Sequence, residues 1–365
     1  MQQNLRNVKY FDLILAISFG LLLTIGVVLM YSTSLGGSKT IFSKQLLYAF
    51  LGVFLFVFFS YFDYKSISKA ATGLYLFLVL SLALVLKFGA LTLGARRWFS
   101  LGLFNLQPSE FAKLILILLL ARFFASRRGQ IKNWQNLILS IMYAIIPVFL
   151  VSRQPDLGSA IVLLGIWFGM LLVSNVQKKV FIYLFLAFIV IGGLTWRFAL
   201  KDYQKHRVET FINPELDPRG RGYNVQQAII SVGSGGLTGT GLGKGLQSQL
   251  KFLPERQTDF VFASAAEELG LVGTMLILAL YTVLLLRLLD IYKKTPDDTG
   301  RFMAAGIFFM IFVQAFINIG MNIGVLPVTG IPLPLISYGG SSLLTTAISL
   351  GIAESISMRS KGLRL

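Results

Sequence analysis

Phe11–Tyr31 reads FDLILAISFGLLLTIGVVLMY, an apolar run interrupted by a single acid near its start. A bilayer core about 30 Å thick requires roughly 20 apolar residues per helix, and this run supplies them. It lacks a small-residue cleavage pattern, so it reads as a retained helix rather than a signal peptide. Nine comparable runs follow: Leu46–Tyr61, Gly73–Phe88, Phe111–Ala125, Leu137–Val151, Ser159–Val173, Val180–Leu200, Phe260–Leu289, Phe302–Leu326 and Ser341–Met358. The fifth and sixth are separated only by SRQPDLG and are expected to pack as a tight hairpin. Across 365 residues the chain is 55% hydrophobic and only 13% charged, with a mean hydropathy of +0.73. A soluble domain carries fewer apolar residues. The expected fold is an all-α polytopic membrane protein with about ten transmembrane helices. It forms one membrane domain over residues 1–365, with one long extracytoplasmic loop at 201–259.

Ten spans put both termini on one side. The short loops on that side carry most of the Lys and Arg, among them Lys65, Lys69, Arg127, Arg128, Lys178, Lys179, Lys293 and Lys294. The opposite short loops hold Lys39, Lys44, Arg96, Arg97 and Arg153. The positive-inside rule therefore makes both termini cytoplasmic. A net charge of +17 would suggest nucleic acid on a soluble protein. Here it marks cytoplasmic loops and anionic lipid headgroups, and no nucleic-acid partner is expected. With no cysteine, disulfides, thiolate metal sites and Cys nucleophiles are excluded. His206 is the single histidine, which leaves room only for a hard divalent cation such as Mg²⁺ or Mn²⁺ held by carboxylates and substrate phosphate.

The polar motifs gather on the outer side, where no ATP is available, so a reaction there needs a substrate that arrives already activated. Asp259 stands where the long loop re-enters the membrane. Partial burial would suit it to general-base work; equally, Thr258 or Asp259 could cap the following helix. Glu267 and Glu268 lie further along that helix and are expected to pair with a neighbouring helix. The loop itself holds an apparent helix, Val225–Val232, and then a glycine run that matches neither a P-loop nor GxGxxG. That run reads as a hinge or as tight loop packing. Glu110 and Lys113 can form an i, i+3 ion pair, or else a capping pattern with a snorkelling lysine. Arg96 and Arg97 could bind lipid phosphate or a substrate pyrophosphate. Asp156 sits in a short turn that favours cap chemistry. The stretch Asn322–Ser341, rich in proline and glycine, cannot be regular helix. It must be buried in protein or line a cavity, and it is read as the wall of a lipid-facing groove.

QPSEFAKL, RQPDLGSA, LPERQTDFVFASAAEELGLVG and PLPLISYGGSS, in this order, resemble the signature stretches of the SEDS family (RodA, FtsW and SpoVE) over essentially the whole chain. Gln247–Leu250 before FLPERQTDF, together with GIPLPLISYGG, is more similar to RodA. The resemblance implies a peptidoglycan glycosyltransferase acting on lipid II, the undecaprenyl-pyrophosphate-linked disaccharide-pentapeptide, at the outer face of the bacterial cytoplasmic membrane. It also implies a class B penicillin-binding protein and other elongation-complex proteins as partners. The family's essential acid falls on Asp259, and its Glu and Lys fall on Glu110 and Lys113. Gln257 stands where many members have histidine, which adds weight to Asp259, and Ser159 stands where threonine is common. Arg96, Arg97 and Arg207 are candidates to stabilise the leaving pyrophosphate, and Ser337 is a candidate substrate-site residue. A lipid II flippase and a non-catalytic scaffold for a penicillin-binding protein are the alternatives.

Overall fold

A computed structural model describes residues 10–35, 39–92, 95–100, 102, 105–127, 134–198, 205, 209–211, 217, 220–250 and 252–362. In chain order the elements are α1 (Leu13–Ser34), α2 (Lys39–Tyr61), α3 (Tyr64–Phe88), strands β1 (Ala90–Thr92), β2 (Ala95–Ser100) and β3 (Asn105–Leu106), α4 (Pro108–Ser126), α5 (Trp134–Arg153), α6 (Leu157–Leu172), α7 (Lys178–Phe198), α8 (Arg221–Ser234), α9 (Leu246–Gln249), α10 (Val261–Lys294), α11 (Asp298–Asn322) and α12 (Gly340–Gly362). Each of the ten apolar runs coincides with one of these helices. Six of the helices, α1, α2, α3, α5, α10 and α11, are long and apolar enough to cross a membrane, and α6 is a shorter apolar helix. The strands were not anticipated from sequence. They form a small antiparallel meander in the order β1-β2-β3 at the junction of α3 and α4.

Helix α4 is the centre of the bundle and packs on α3, α5, α6, α11 and α12; 14 of its 19 residues are buried. In lipid, helices associate through close packing and polar contacts rather than hydrophobic expulsion, so small residues mark the contacts. Gly165 and Gly169 of α6 lie against Val313 and Phe309 of α11, and Gly306 of α11 lies against Ile117 of α4. Helices α5 and α6 pack together as the expected hairpin. Large exposed apolar side chains such as Phe50, Phe54, Phe77 and Phe185 suit a lipid solvent.

At the end of the bundle where α1 begins and α12 ends, Asp12 caps α1 and receives the Nε of Arg287 from α10 at 2.8 and 2.7 Å. Ser357 of α12 donates to the same carboxylate, and the Asp12 amide donates to Glu354. One guanidinium and two buried acids thus tie α1, α10 and α12.

Helix α10 is broken at Gly270, whose φ of 67° and ψ of −166° interrupt the helical ladder. Within a bilayer the freed main-chain groups need other partners. The glycine run between α8 and α9 supplies them. The amides of Thr240 and Gly241 donate to the carbonyls of Glu267 and Glu268, each at 3.0 Å. The amides of Leu271 and Val272 donate to Gly236 and Leu237 at 2.9 and 3.1 Å. A Cβ at Gly239 would stand 2.2 Å from the Glu268 carbonyl oxygen, and one at Gly270 would stand 2.3 Å from the Gly239 nitrogen. The run is therefore a packed seam and not a hinge. The predicted loop helix is present, as the longer α8.

The seam predicts an order of stabilities. Gly236 has a positive φ of 53° but no atom within 4 Å of where a methyl group would stand, so Gly236→Ala should cost only the left-handed backbone penalty, about 1–2 kcal/mol. Gly239→Ala and Gly270→Ala add a main-chain clash and should lower the unfolding temperature of the purified protein further. Equal effects at the three positions would contradict the seam.

Candidate active site

Asp259 lies half-buried immediately before α10. It is not the cap of that helix: the N-cap position is Phe260, which makes no side-chain cap bond. The amide of Ala263 donates instead to Asn322 Oδ1 of α11 at 2.9 Å. Gly330 flanks the carboxylate, since a Cβ there would lie 3.4 Å from Asp259 Oδ2. The carbonyl of Asp259 accepts from Asn318 Nδ2 and Asn322 Nδ2 at 2.9 and 3.0 Å.

The residues before Asp259 line an open cleft of ≈ 400 Å³ with Ile41 and Tyr338, among them Arg256, Gln257 and Thr258. Its lining mixes an aromatic ring, a guanidinium, an amide and hydroxyls, which suits a polar ligand such as a sugar. Burial pushes the Arg256 guanidinium below its ordinary range, against the pull of the Glu268 carboxylate. Burial, and then the Tyr48 ring beside it, push the Tyr338 hydroxyl up.

Ser337 acts on the main chain. Its Oγ donates to the Thr258 carbonyl at 2.6 Å and accepts the Leu333 amide at 2.8 Å. In the apolar stretch before it Ile323 and Val325 are exposed, whereas Ile331, Leu333, Leu335 and Ile336 are buried. Gly26 of α1 admits their backbone, since a Cβ there would meet the Leu335 carbonyl at 2.6 Å. Only Tyr338, at the end of the stretch, reaches the cleft.

Asp156 follows the cap reading and extends it. Its Oδ1 accepts the Ser159 amide at 3.1 Å, and its Oδ2 accepts from Gln107 Nε2 and Ser109 Oγ, each at 3.2 Å. Ser341 Oγ accepts the Gln107 amide at 3.0 Å. The QPSE turn, the RQPD turn and the start of α12 are thereby joined. Gly158 packs on Thr329 and Ile331, and Asn318 Nδ2 also donates to the Ile331 carbonyl at 2.7 Å, so the chain of contacts reaches Asp259.

Glu110 and Lys113 form a buried pair at 2.7 Å, with side chains 5% and 1% exposed; Lys113 does not snorkel. Arg97 Nε and Nη2 donate to the carbonyls of Gln154 and Pro155 at 2.8 and 2.6 Å, which commits much of its fork to holding the α5–α6 turn. Arg96 is exposed and donates to the Lys87 carbonyl. Arg207, His206 and Lys201 lie outside the described residues.

Glu267 binds the amides of Gln247 and Ser248 and the Ser248 hydroxyl at the start of α9, while Glu268 accepts from Ser32 of α1 at 2.5 Å. Both acids are therefore structural, as expected. Asn318 and Asn322 were missed by sequence reasoning. The signal was two amides four residues apart in an apolar helix, a costly placement inside a membrane. Among the described residues no group of three or more His, Asp or Glu could hold a metal.

The chain matches the family model of the FtsW/RodA/SpoVE cell cycle proteins over residues 7–362. It is 44% identical over 289 residues to the peptidoglycan glycosyltransferase MrdB of Escherichia coli K12, covering 78% of this chain and 77% of that one. Among solved structures it resembles one described as showing the structural coordination of polymerization and crosslinking by a peptidoglycan synthase complex, with a TM-score of 0.85, 32% identity and coverage of 96% and 98%. It also resembles the rod shape determining protein RodA of Thermus thermophilus, with a TM-score of 0.72, 29% identity and coverage of 95% and 96%.

The buried pair gives a stability prediction. Lys113→Met should cost about 3–5 kcal/mol by leaving Glu110 buried without its cation. The double variant Glu110→Gln/Lys113→Met should recover most of that loss in thermal unfolding of the purified protein. A double variant as unstable as the single one would show that the pair does not act as a unit.

Proposed function

The chain belongs to the FtsW/RodA/SpoVE family of cell cycle proteins, and from that membership we propose that it is a peptidoglycan glycosyltransferase of the RodA type with Asp259 as its general base. The observation that carries the assignment is the placement of Asp259. It is a half-exposed acid beside a cleft able to take a sugar, at the end of the bundle where the family's motifs converge.

In the proposed reaction Asp259 takes the proton from the 4-hydroxyl of the acceptor GlcNAc. The hydroxyl oxygen forms a bond to the anomeric carbon of the donor MurNAc as the bond from that carbon to the pyrophosphate oxygen breaks. Undecaprenyl pyrophosphate leaves with the bonding electrons, and the anomeric centre inverts. The proton on Asp259 passes to solvent. Arg207 and the exposed Arg96 are proposed to meet the leaving pyrophosphate, with Arg97 shaping the turn beneath. A divalent cation such as Mg²⁺ or Mn²⁺, when bound, supplies further charge neutralisation at the pyrophosphate.

Asp156 and Ser337 hold the turns around the site, and the buried Glu110–Lys113 pair is proposed to support them. The substrate is lipid II, and a class B penicillin-binding protein is the proposed partner, in keeping with the synthase complex that this chain resembles. The termini are assigned to the cytoplasm and the site to the outer face of the bacterial cytoplasmic membrane, from the Lys and Arg distribution.

Purified full-length protein with its partner should polymerise lipid II, and Asp259→Ala should reduce the rate at least about 10²-fold, a typical size for loss of a general base, while thermal unfolding shifts little. Undiminished polymer from Asp259→Ala would refute the role. Transfer of labelled lipid II across liposomes without any polymer would favour the flippase alternative.

A further inference from the structure

Five consecutive carbonyls precede α10, and each is held. That of Glu255 accepts the amides of Thr258 and Phe260 at 3.1 Å. That of Arg256 accepts Ser264 Oγ at 3.3 Å, that of Gln257 the Tyr338 amide at 2.8 Å, and that of Thr258 the Ser337 hydroxyl. That of Asp259 accepts two side-chain amides from α11, those of Asn318 and Asn322. Both asparagines are fully buried.

Capping alone does not account for the pair. Asn322 Oδ1 supplies the cap bond to Ala263, whereas Asn318 makes none. Its Nδ2 bridges the carbonyls of Asp259 and Ile331, tying the acid to the segment whose Ser337 and Tyr338 hold the two preceding residues. A leucine would occupy a membrane helix at lower cost than a buried amide.

We propose that Asn318 and Asn322 are positioning residues that fix the direction of the Asp259 carboxylate by gripping its own peptide carbonyl. The proposal rests on Asp259 being the reacting acid. Bonds to the Asp259 carbonyl anchor the backbone at its Cα, and only two side-chain torsions separate that anchor from the carboxylate. Displacing a reacting group by about 1 Å can cost about 10²-fold in rate, and functional geometry must be held within about 0.5 Å.

The test uses the full-length protein with its partner and lipid II, comparing Asn318→Leu, Asn322→Asp and Asp259→Ala. Asn322→Asp keeps an oxygen for the Ala263 amide and removes the donor to Asp259. Each asparagine variant should lose about 10- to 100-fold in kcat, with KM for lipid II changed less than about twofold and most of the unfolding temperature kept. A folded variant with parental kcat overturns the proposal, as does a loss that appears in KM alone or follows the folded fraction. If Asn318→Leu does not yield folded protein, Asn318→Ser takes its place, since it retains a hydroxyl but cannot reach both carbonyls. An inactive Asp259→Ala beside fully active asparagine variants removes the positioning role alone. An active Asp259→Ala removes the assignment of the base and this inference together.

Discussion

Hydrocarbon offers no hydrogen bonds, so every main-chain amide and carbonyl at membrane depth has to find its partner inside the protein. The irregular parts of this structure follow from that constraint. Helix α10 can break at Gly270 only because residues 236–241 bind the amides and carbonyls that the break releases. The non-helical stretch around Ile331–Ile336 is tolerated because it is buried against α1 and answered by Asn318 and Ser337. The carbonyls before α10 are answered in the same way, and that is where Asp259 emerges.

The polar groups divide between the two ends of the bundle, and α4 runs between them. At one end Asp12, Arg287, Glu354 and Ser357 clasp three helices. At the other, Asp156 gathers the QPSE turn and the start of α6. Glu110 and Lys113 sit one turn into α4 with their charges matched. A buried ion pair adds little net stability over an apolar pair, yet breaking it is expensive. The side chains of residues 255–258, which line the cleft, stand on a segment whose carbonyls are each held, which suits a reaction that depends on holding two sugars in line.

Much of this was legible in the sequence. Runs of about 20 apolar residues have one physical explanation, and all ten coincide with helices. The short RQPD link forced the α5–α6 hairpin. The four motifs led to the correct family, and through that resemblance to Asp259 as the candidate acid, which its position alone left equally open to capping. What was not legible came from contacts distant in sequence. Cap chemistry read locally suggested Thr258 or Asp259, but the cap bond comes from Asn322, some sixty residues away. Glycine-rich composition could mean looseness or close approach, and only the broken α10 beside it decides for close approach. The meander β1–β3 is too short for a periodic signal, and Arg97 read as a free cation until the turn it holds was seen.

The seam between the glycine run and α10 joins main chain to main chain, so it reads length more than composition. Apart from the glycines that close approach demands, and Thr240, whose hydroxyl also donates to the Glu267 carbonyl at 3.1 Å, the residues of 236–241 can exchange with little effect on the bonds they make. A single-residue insertion or deletion there is different, because it would slide one edge past the other and leave carbonyls and amides of α10 facing groups that cannot answer them. Across related chains this segment should vary in lettering while keeping its count, and a loop-grafting experiment that ignores the count would disrupt the helix that follows Asp259.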